Sequence, residues 1–285
     1  MRIAYDHQIF SMQPWGGISR YFVRLAEELN AVGEDVSVMA HYHRNHHLEE
    51  VQKSLLKGTS VTAWPHRLGR LAKKLNAPLI SRSLRQWPPD IFHETYYQGR
   101  ARSTLKAPIV ITVHDMIHEV MPEAFRTNDQ TSARKREAVS RADHVICISE
   151  NTRQDLLQFF DIPLSKTSVV HHGIDRPVQA ITNQHPVPEN SQPPFVLYVG
   201  KRGGYKNFQL ILRAFAESSV LRGDFDIVCL GGGAFNAEEL SLAASLGLSE
   251  SQLRYESGDD EKLSRLYSNA SVFVHSSKYE GFGLP

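Results

Sequence analysis

Short apolar runs alternate with helix-periodic stripes along the whole chain, and this alternation restricts the fold more than any other feature. Arg2 to Tyr5, Val36 to Ala40, Ile109 to Val113, Val145 to Ile148 and Thr167 to Val170 have strand length, as do Phe195 to Val199, Phe225 to Leu230 and Val272 to His275. Asp90 to His93 and Leu253 to Glu256 add shorter runs. Between them lie stripes such as Ile18, Tyr21, Phe22, Leu25, Ala26 and Leu29, spaced for one face of a helix. Strands joined through helices pair in parallel, and a run as apolar as IVITV suits a sheet covered on both faces. Residues 176–194 are rich in Pro, Asn and Gln and lack periodicity, as a linker would be. The expected architecture is α/β, with two Rossmann-like doubly wound domains at residues 1–175 and 195–285. The second would hold few strands and stop in a loop, Ser276 to Pro285, so a longer native polypeptide is expected.

The stretch FVLYVGKRGGYKNF, Phe195 to Phe208, carries the clearest chemistry. A strand ends at Gly200, Gly203 and Gly204 allow a tight turn with positive φ, and a helical stripe through Leu210, Ile211, Ala214 and Phe215 follows. Lys201, Arg202 and Lys206 thus fall where a strand hands over to a helix N-terminus, where backbone N–H groups and the helix dipole favour an anion. Positive charge there opposes the dipole unless an anion such as a diphosphate binds; the alternative is a solvated basic turn. Neither a Walker A loop nor a Gly-x-Gly-x-x-Gly fingerprint is present, which weighs against a dinucleotide-dependent oxidoreductase or epimerase.

The first half offers weaker signals. Gly16-Gly17 opens a helix and lets the backbone approach a ligand closely. His93-Glu94 and His114-Asp115 sit just past strand ends, where open α/β sheets bind ligands, although a buried, hydrogen-bonded histidine reads equally well. Ser149 is placed to cap the following helix. His41, His43, His46 and His47 read as solvated loop histidines, not metal ligands. From His66 to Pro89 there is no acidic residue. Arg67, Arg70, Lys73, Lys74, Arg82 and Arg85 interleave with leucines there, so residues 67–85 suit either peripheral contact with an anionic membrane or an ordinary surface helix. A net charge of +1 argues against nucleic-acid binding. Cys147 and Cys229 lie in apolar runs and read as reduced, buried thiols of a cytoplasmic protein. No signal peptide is expected ahead of the first strand.

Taken in order, these pieces resemble a retaining glycosyltransferase of family 4, with GT-B architecture. The matching residues are Gly16-Gly17, Thr112-Val113-His114-Asp115, Ser149-Glu150-Asn151-Thr152, His172-Gly173-Ile174-Asp175, Tyr198-Val199-Gly200 through Lys206-Asn207, and Ser276 through Pro285.

The resemblance implies two lobes facing a cleft, the C-terminal one binding a nucleotide-sugar donor and the N-terminal one a saccharide or lipid-linked saccharide acceptor. Arg202 and Lys206 would grip the donor diphosphate, with Lys201 as runner-up because many relatives carry Arg at that position. Gly16-Gly17 would approach the same phosphates and His114 would contact the donor sugar. Tyr255 to Gly258 would lie near the nucleobase. Glu280 would be the first glutamate of the family's Glu-x7-Glu pair, with Phe282, Gly283 and Leu284 beside the sugar; the second glutamate would fall beyond Pro285. No metal or other cofactor is expected. A non-catalytic nucleotide-sugar-binding protein is the alternative.

Overall fold

The computed structural model describes residues 1–65, 68, 74–97, 105–174, 193–258 and 260–283. The expected linker lies outside them except for residues 193 and 194, as do Arg67, Arg70, Lys73 and Leu284. The chain divides into two compact units, Met1–His172 and Gly173–Pro285.

The first unit is built on a six-stranded parallel sheet in the order β2-β1-β5-β6-β7-β8. Its strands are β1 (Arg2–Tyr5), β2 (Asp35–Val38), β5 (Ile91–Glu94), β6 (Ile109–Val113), β7 (His144–Cys147) and β8 (Thr167–Val169). A separate parallel pair joins β3 (Tyr42–His43) to β4 (Thr59–Ser60). Strand β1 lies between β2 and β5, so the order reverses there, and the loops after β1 and β5 form the switch point where such sheets bind ligands. The helix Gly17–Ala31 buries Phe22, Val23 and Ala26 against β1 and β2, as its stripe requires. Ser149 caps the helix Glu150–Phe159, its Oγ accepting the Thr152 N–H at 3.0 Å.

The histidines expected in a solvated loop are instead built into the packing. His43 is buried, His41 Nε2 meets Ser83 Oγ at 3.0 Å, and His46 stacks on Trp15 at 4.7 Å. The described part of the basic segment includes the helix Asn76–Gln86, which turns Ile80 and Leu84 into the core while Arg82 and Arg85 stay exposed. That burial is what an ordinary surface helix shows. Among the described residues, no helix is long and apolar enough to cross a membrane.

The second unit has a four-stranded parallel sheet of β9 (Phe195–Val199), β10 (Asp226–Leu230), β11 (Leu253–Glu256) and β12 (Val272–Phe273). Their order is β11-β10-β9-β12, which places a switch point between β9 and β12. The helix Phe208–Glu217 packs Phe208, Ile211, Leu212 and Phe215 inward, whereas Leu210, counted in the predicted stripe, is exposed. Asn236 and Glu239 form a reciprocal capping box at the start of the helix Ala237–Ser245. Leu266 of the helix Asp260–Asn269 covers the other face of the sheet.

Candidate active site

In the second unit, four loops gather at the C-terminal ends of the strands. Gly200 (φ +117) ends β9, and Gly204 (φ +60) leads a single helical turn, Gly204–Lys206. Gly203 does not use the expected left-handed conformation; its φ is −83°. Asn207, in the left-handed region at φ 55°, then turns the chain into the helix Phe208–Glu217. Lys206 therefore lies just before the helix and not within its first turn. The loop after β12 returns to it: Ser276 Oγ donates to Lys206 O at 2.8 Å, and Lys278 N to Tyr205 O at 2.9 Å. This seating brings Lys206 Nζ to 2.5 Å from Glu280 Oε1. His275 Nε2 lies 3.3 Å from the same oxygen. Partial burial works against the Glu280 charge. Hydrogen bonds from Lys206 and Ser277, together with the Lys206 and His275 charges, outweigh that and hold its carboxyl below the usual range.

Arg202 occupies a different environment from the one expected. It is buried, and its Nε donates to Glu239 Oε1 at 2.9 Å. Nη1 donates to Gly231 O at 3.1 Å; Nη2 reaches Gly233 O at 2.8 Å, Ala234 O at 2.9 Å and Glu239 Oε2 at 3.2 Å. Phe235 lies beneath the guanidinium at 4.6 Å. All three nitrogens are engaged within the protein, so in this conformation Arg202 braces the loop after β10 and presents no free fork to a phosphate. The braced loop needs glycine: Gly231, Gly232 and Gly233 all have positive φ, and a Cβ on Gly232 would stand 2.7 Å from Gly200 O. Lys201, the runner-up, is exposed at the end of β9.

Tyr255 is exposed at 38 %, and Gly258 packs so closely on Lys262 that a Cβ would stand 2.7 Å from its Cβ. Phe282 is exposed at 37 % and Gly283 has φ +84.

In the first unit, the structure brings His93 and His114 together beneath the helix Gly17–Ala31. Phe22 meets both rings edge-on, at 5.1 and 6.0 Å. Tyr21 meets His114 at 5.3 Å and His172 at 4.7 Å, and His114 and His172 stack at 5.6 Å. His93 Nε2 is 2.9 Å from Thr112 Oγ1, which also bonds the Tyr21 hydroxyl. His93 is the satisfied core histidine, whereas His114 Nε2 is buried without a hydrogen-bond partner. Burial, with help from the neighbouring histidines and Lys135, pushes His114 down to about 3, so its imidazole is neutral across the physiological range. Gly17 has open space where a side chain would be, whereas a Cβ on Gly16 would clash with the Gln13 side chain at 2.2 Å.

Of the two acidic residues at these strand ends, Glu94 is drawn into a buried ion pair, whereas Asp115 stays partly exposed with its Oδ1 3.9 Å from Lys135 Nζ. Glu94 is buried against Arg141, and Asp115 lies beside buried Lys135, whose Nζ reaches Asp115 O at 2.9 Å and Glu119 Oε2 at 2.7 Å. Sequence reasoning passed over Lys135 and Arg141, which look like any other charges of a basic helix. It also missed Asp6, the first residue after β1. Asp6 accepts from Gln8 Nε2 at 2.6 Å and Thr95 Oγ1 at 2.7 Å, joining the two loops of the switch point. Its place at a strand end was the available signal.

Two Rossmann-like parallel sheets in one chain define the GT-B class of α/β proteins. Solved structures agree. WaaG, a glycosyltransferase involved in lipopolysaccharide biosynthesis, superposes with a TM-score of 0.66 at 19% identity, over 98% of this chain and 76% of that one. Sucrose-phosphate synthase from Thermosynechococcus elongatus gives 0.73 at 20% identity, over 99% and 77%. The family model Glycosyltransferase Family 4 matches residues 15–176, and Glycosyl transferases group 1 matches residues 180–285. The chain belongs to glycosyltransferase family 4. Among curated relatives, the O-antigen chain mannosyltransferase B of Escherichia coli is 24% identical over 95% of this chain and 75% of its own length. An N-acetylgalactosaminyltransferase of Campylobacter jejuni acting on a diphospho-undecaprenol-linked saccharide is 30% identical over 50% of this chain. That match spans 37% of the Campylobacter protein.

Proposed function

We propose that this protein transfers a sugar from a nucleoside-diphosphate sugar to a hydroxyl of a saccharide or lipid-linked saccharide, with retention, in the synthesis of a cell-surface polysaccharide or glycolipid. The Lys206–Glu280 pair at the switch point of the second sheet is the observation that carries the reading. Cleaving the anomeric C–O bond leaves its electron pair on the β-phosphate oxygen, and a fixed ammonium stabilises that charge as it develops. Lys206 and Lys201 are the cations for this role, and Arg202 serves it by holding the glycine loop in shape. The acceptor oxygen bonds to the anomeric carbon on the same face, and its proton passes to the departing phosphate. Glu280, Phe282, Gly283 and Leu284 flank the sugar, Tyr255 and Gly258 the base. His114 offers a neutral imidazole to a sugar hydroxyl, and the Gly16-Gly17 turn offers uncapped helix N–H groups to phosphate. The names of the relatives support mannose among the first donors to try, and a lipid-linked acceptor. Such an acceptor would bring the protein to the inner face of a membrane, where residues 67–85 would make peripheral contact.

Calorimetry with UDP, GDP and NAD, followed by transfer assays with UDP- and GDP-sugars, tests this. Binding of one nucleoside diphosphate and transfer from its sugar is the expected result. Selective NAD binding would remove the proposal, and donor binding without transfer or donor hydrolysis would replace it with a non-catalytic binding role.

A further inference from the structure

Trp15 is a large apolar ring held rigidly at the surface, with no core function to account for it. It is 62 % exposed, yet the two residues before it are tied to the protein. Asn45, fully buried, donates from Nδ2 to Gln13 O at 2.7 Å and Pro14 O at 3.3 Å, and His46 N donates to Pro14 O at 3.0 Å. The ring itself is backed. His46 stacks on it at 4.7 Å and 15° between planes, and His47 meets it edge-on at 5.0 Å. His46 Nδ1 in turn lies 3.3 Å from Glu49 Oε2. One indole face is therefore covered by an imidazole, while most of the residue's surface stays exposed. An exposed aromatic ring backed by polar rings suits ligand contact, since tryptophan pairs a large apolar surface with a polar edge.

We infer that Trp15 is the stacking platform for a pyranose ring of the acceptor saccharide; the inference rests on the glycosyl-transfer reading above. A pyranose offers an apolar face of C–H groups that matches an indole, and its hydroxyl edge matches neighbouring imidazoles. The position suits an acceptor. Trp15 immediately precedes Gly16-Gly17, where the helix Gly17–Ala31 begins. Tyr21, about 6 Å along that helix from Gly17, is the residue whose ring meets His114. Platform and His114 thus belong to the same end of the first sheet, the platform outside and the buried imidazole within.

The chain has three tryptophans, Trp15, Trp64 and Trp87, so the Trp64→Phe/Trp87→Phe double variant reports on Trp15 alone. Titrating it with methyl α-D-mannopyranoside, methyl α-D-glucopyranoside and mannobiose is expected to give a saturable emission change with at least one of them. In transfer assays, Trp15→Ala is expected to raise the acceptor KM about tenfold and leave the donor KM unchanged, while Trp15→Phe stays within about threefold of wild type. Unchanged emission up to the solubility limit of all three sugars, or an unchanged acceptor KM in Trp15→Ala, would overturn the inference. So would an emission change produced by UDP or GDP in place of the sugars, since the platform would then serve a nucleobase. Calorimetry of wild type with UDP and GDP separates the two ideas: failure there removes the donor reading, whereas failure of the sugar titration removes the platform alone.

Discussion

Lys206 and Glu280, 74 positions apart in the sequence, meet at 2.5 Å because the loop after β12 is seated on the loop after β9. The carboxylate neutralises an ammonium that the proposed reaction would use for its leaving group. Lys206→Ala is expected to weaken UDP or GDP binding about tenfold or more and to lower kcat/KM about 100-fold. Glu280→Gln frees the ammonium from its internal partner, and the same calorimetry should show tighter nucleoside diphosphate binding with reduced turnover. Near-normal binding and turnover in Lys206→Ala would remove the assignment.

Arg202 and Lys201 should separate cleanly. Arg202→Ala strips the largely buried Glu239 of its cation and releases the Gly231, Gly233 and Ala234 carbonyls that shape the loop after β10. Breaking a buried pair costs on the order of 3–5 kcal/mol, so denaturant unfolding should show a large loss of stability. Lys201→Ala, at an exposed site, is expected to leave stability within about 0.5 kcal/mol of wild type and to raise the donor KM.

Acid should destabilise the first unit well before its carboxylates titrate. Burial holds His114 down to about 3 and His93 to about 4. In the unfolded chain both take up a proton near pH 6.5. The unfolded state therefore binds more protons between about pH 6.5 and 4, and stability falls as pH falls through that window. Melting temperatures measured from pH 7.5 to 4.5 should decline, and His93→Gln should flatten the decline. A pH-independent melting temperature above pH 5 would contradict the burial of these rings.

Lys135 and Glu119 form a buried pair whose loss is asymmetric. Lys135→Met leaves the Glu119 carboxylate uncompensated, at a cost on the order of 3–5 kcal/mol. Adding Glu119→Leu should recover most of that, because removing both charges also removes their desolvation cost. Urea unfolding of the two variants checks this. Equal stability of the single and double variants would mean that the carboxylate is not buried as described.

The strand runs, the parallel pairing and the Ser149 cap were all legible in the residues, because each depends on periodicity or on a neighbour within a few positions. The positions of Lys206 and His114 beside strand ends were legible too, whereas the Lys206–Glu280 contact was not, because its partners lie 74 positions apart. The surroundings of Arg202 were not legible: its neighbours in sequence, Lys201 and Gly203, gave no hint of Glu239 or of three carbonyls some 30 positions on. The histidines from His41 to His47 look polar in sequence because nothing nearby announces Trp15 or Ser83.

By itself, then, the sequence determined an α/β chain in two parts, since backbone propensity and apolar spacing act locally. The tertiary structure alone decided which charges reach solvent and which are spent inside. A cation beside a strand end can brace a loop, as Arg202 does, or pair with a carboxylate brought in by the neighbouring loop, as Lys206 does. The choice depends on which distant carbonyls and carboxylates the fold brings within about 3 Å.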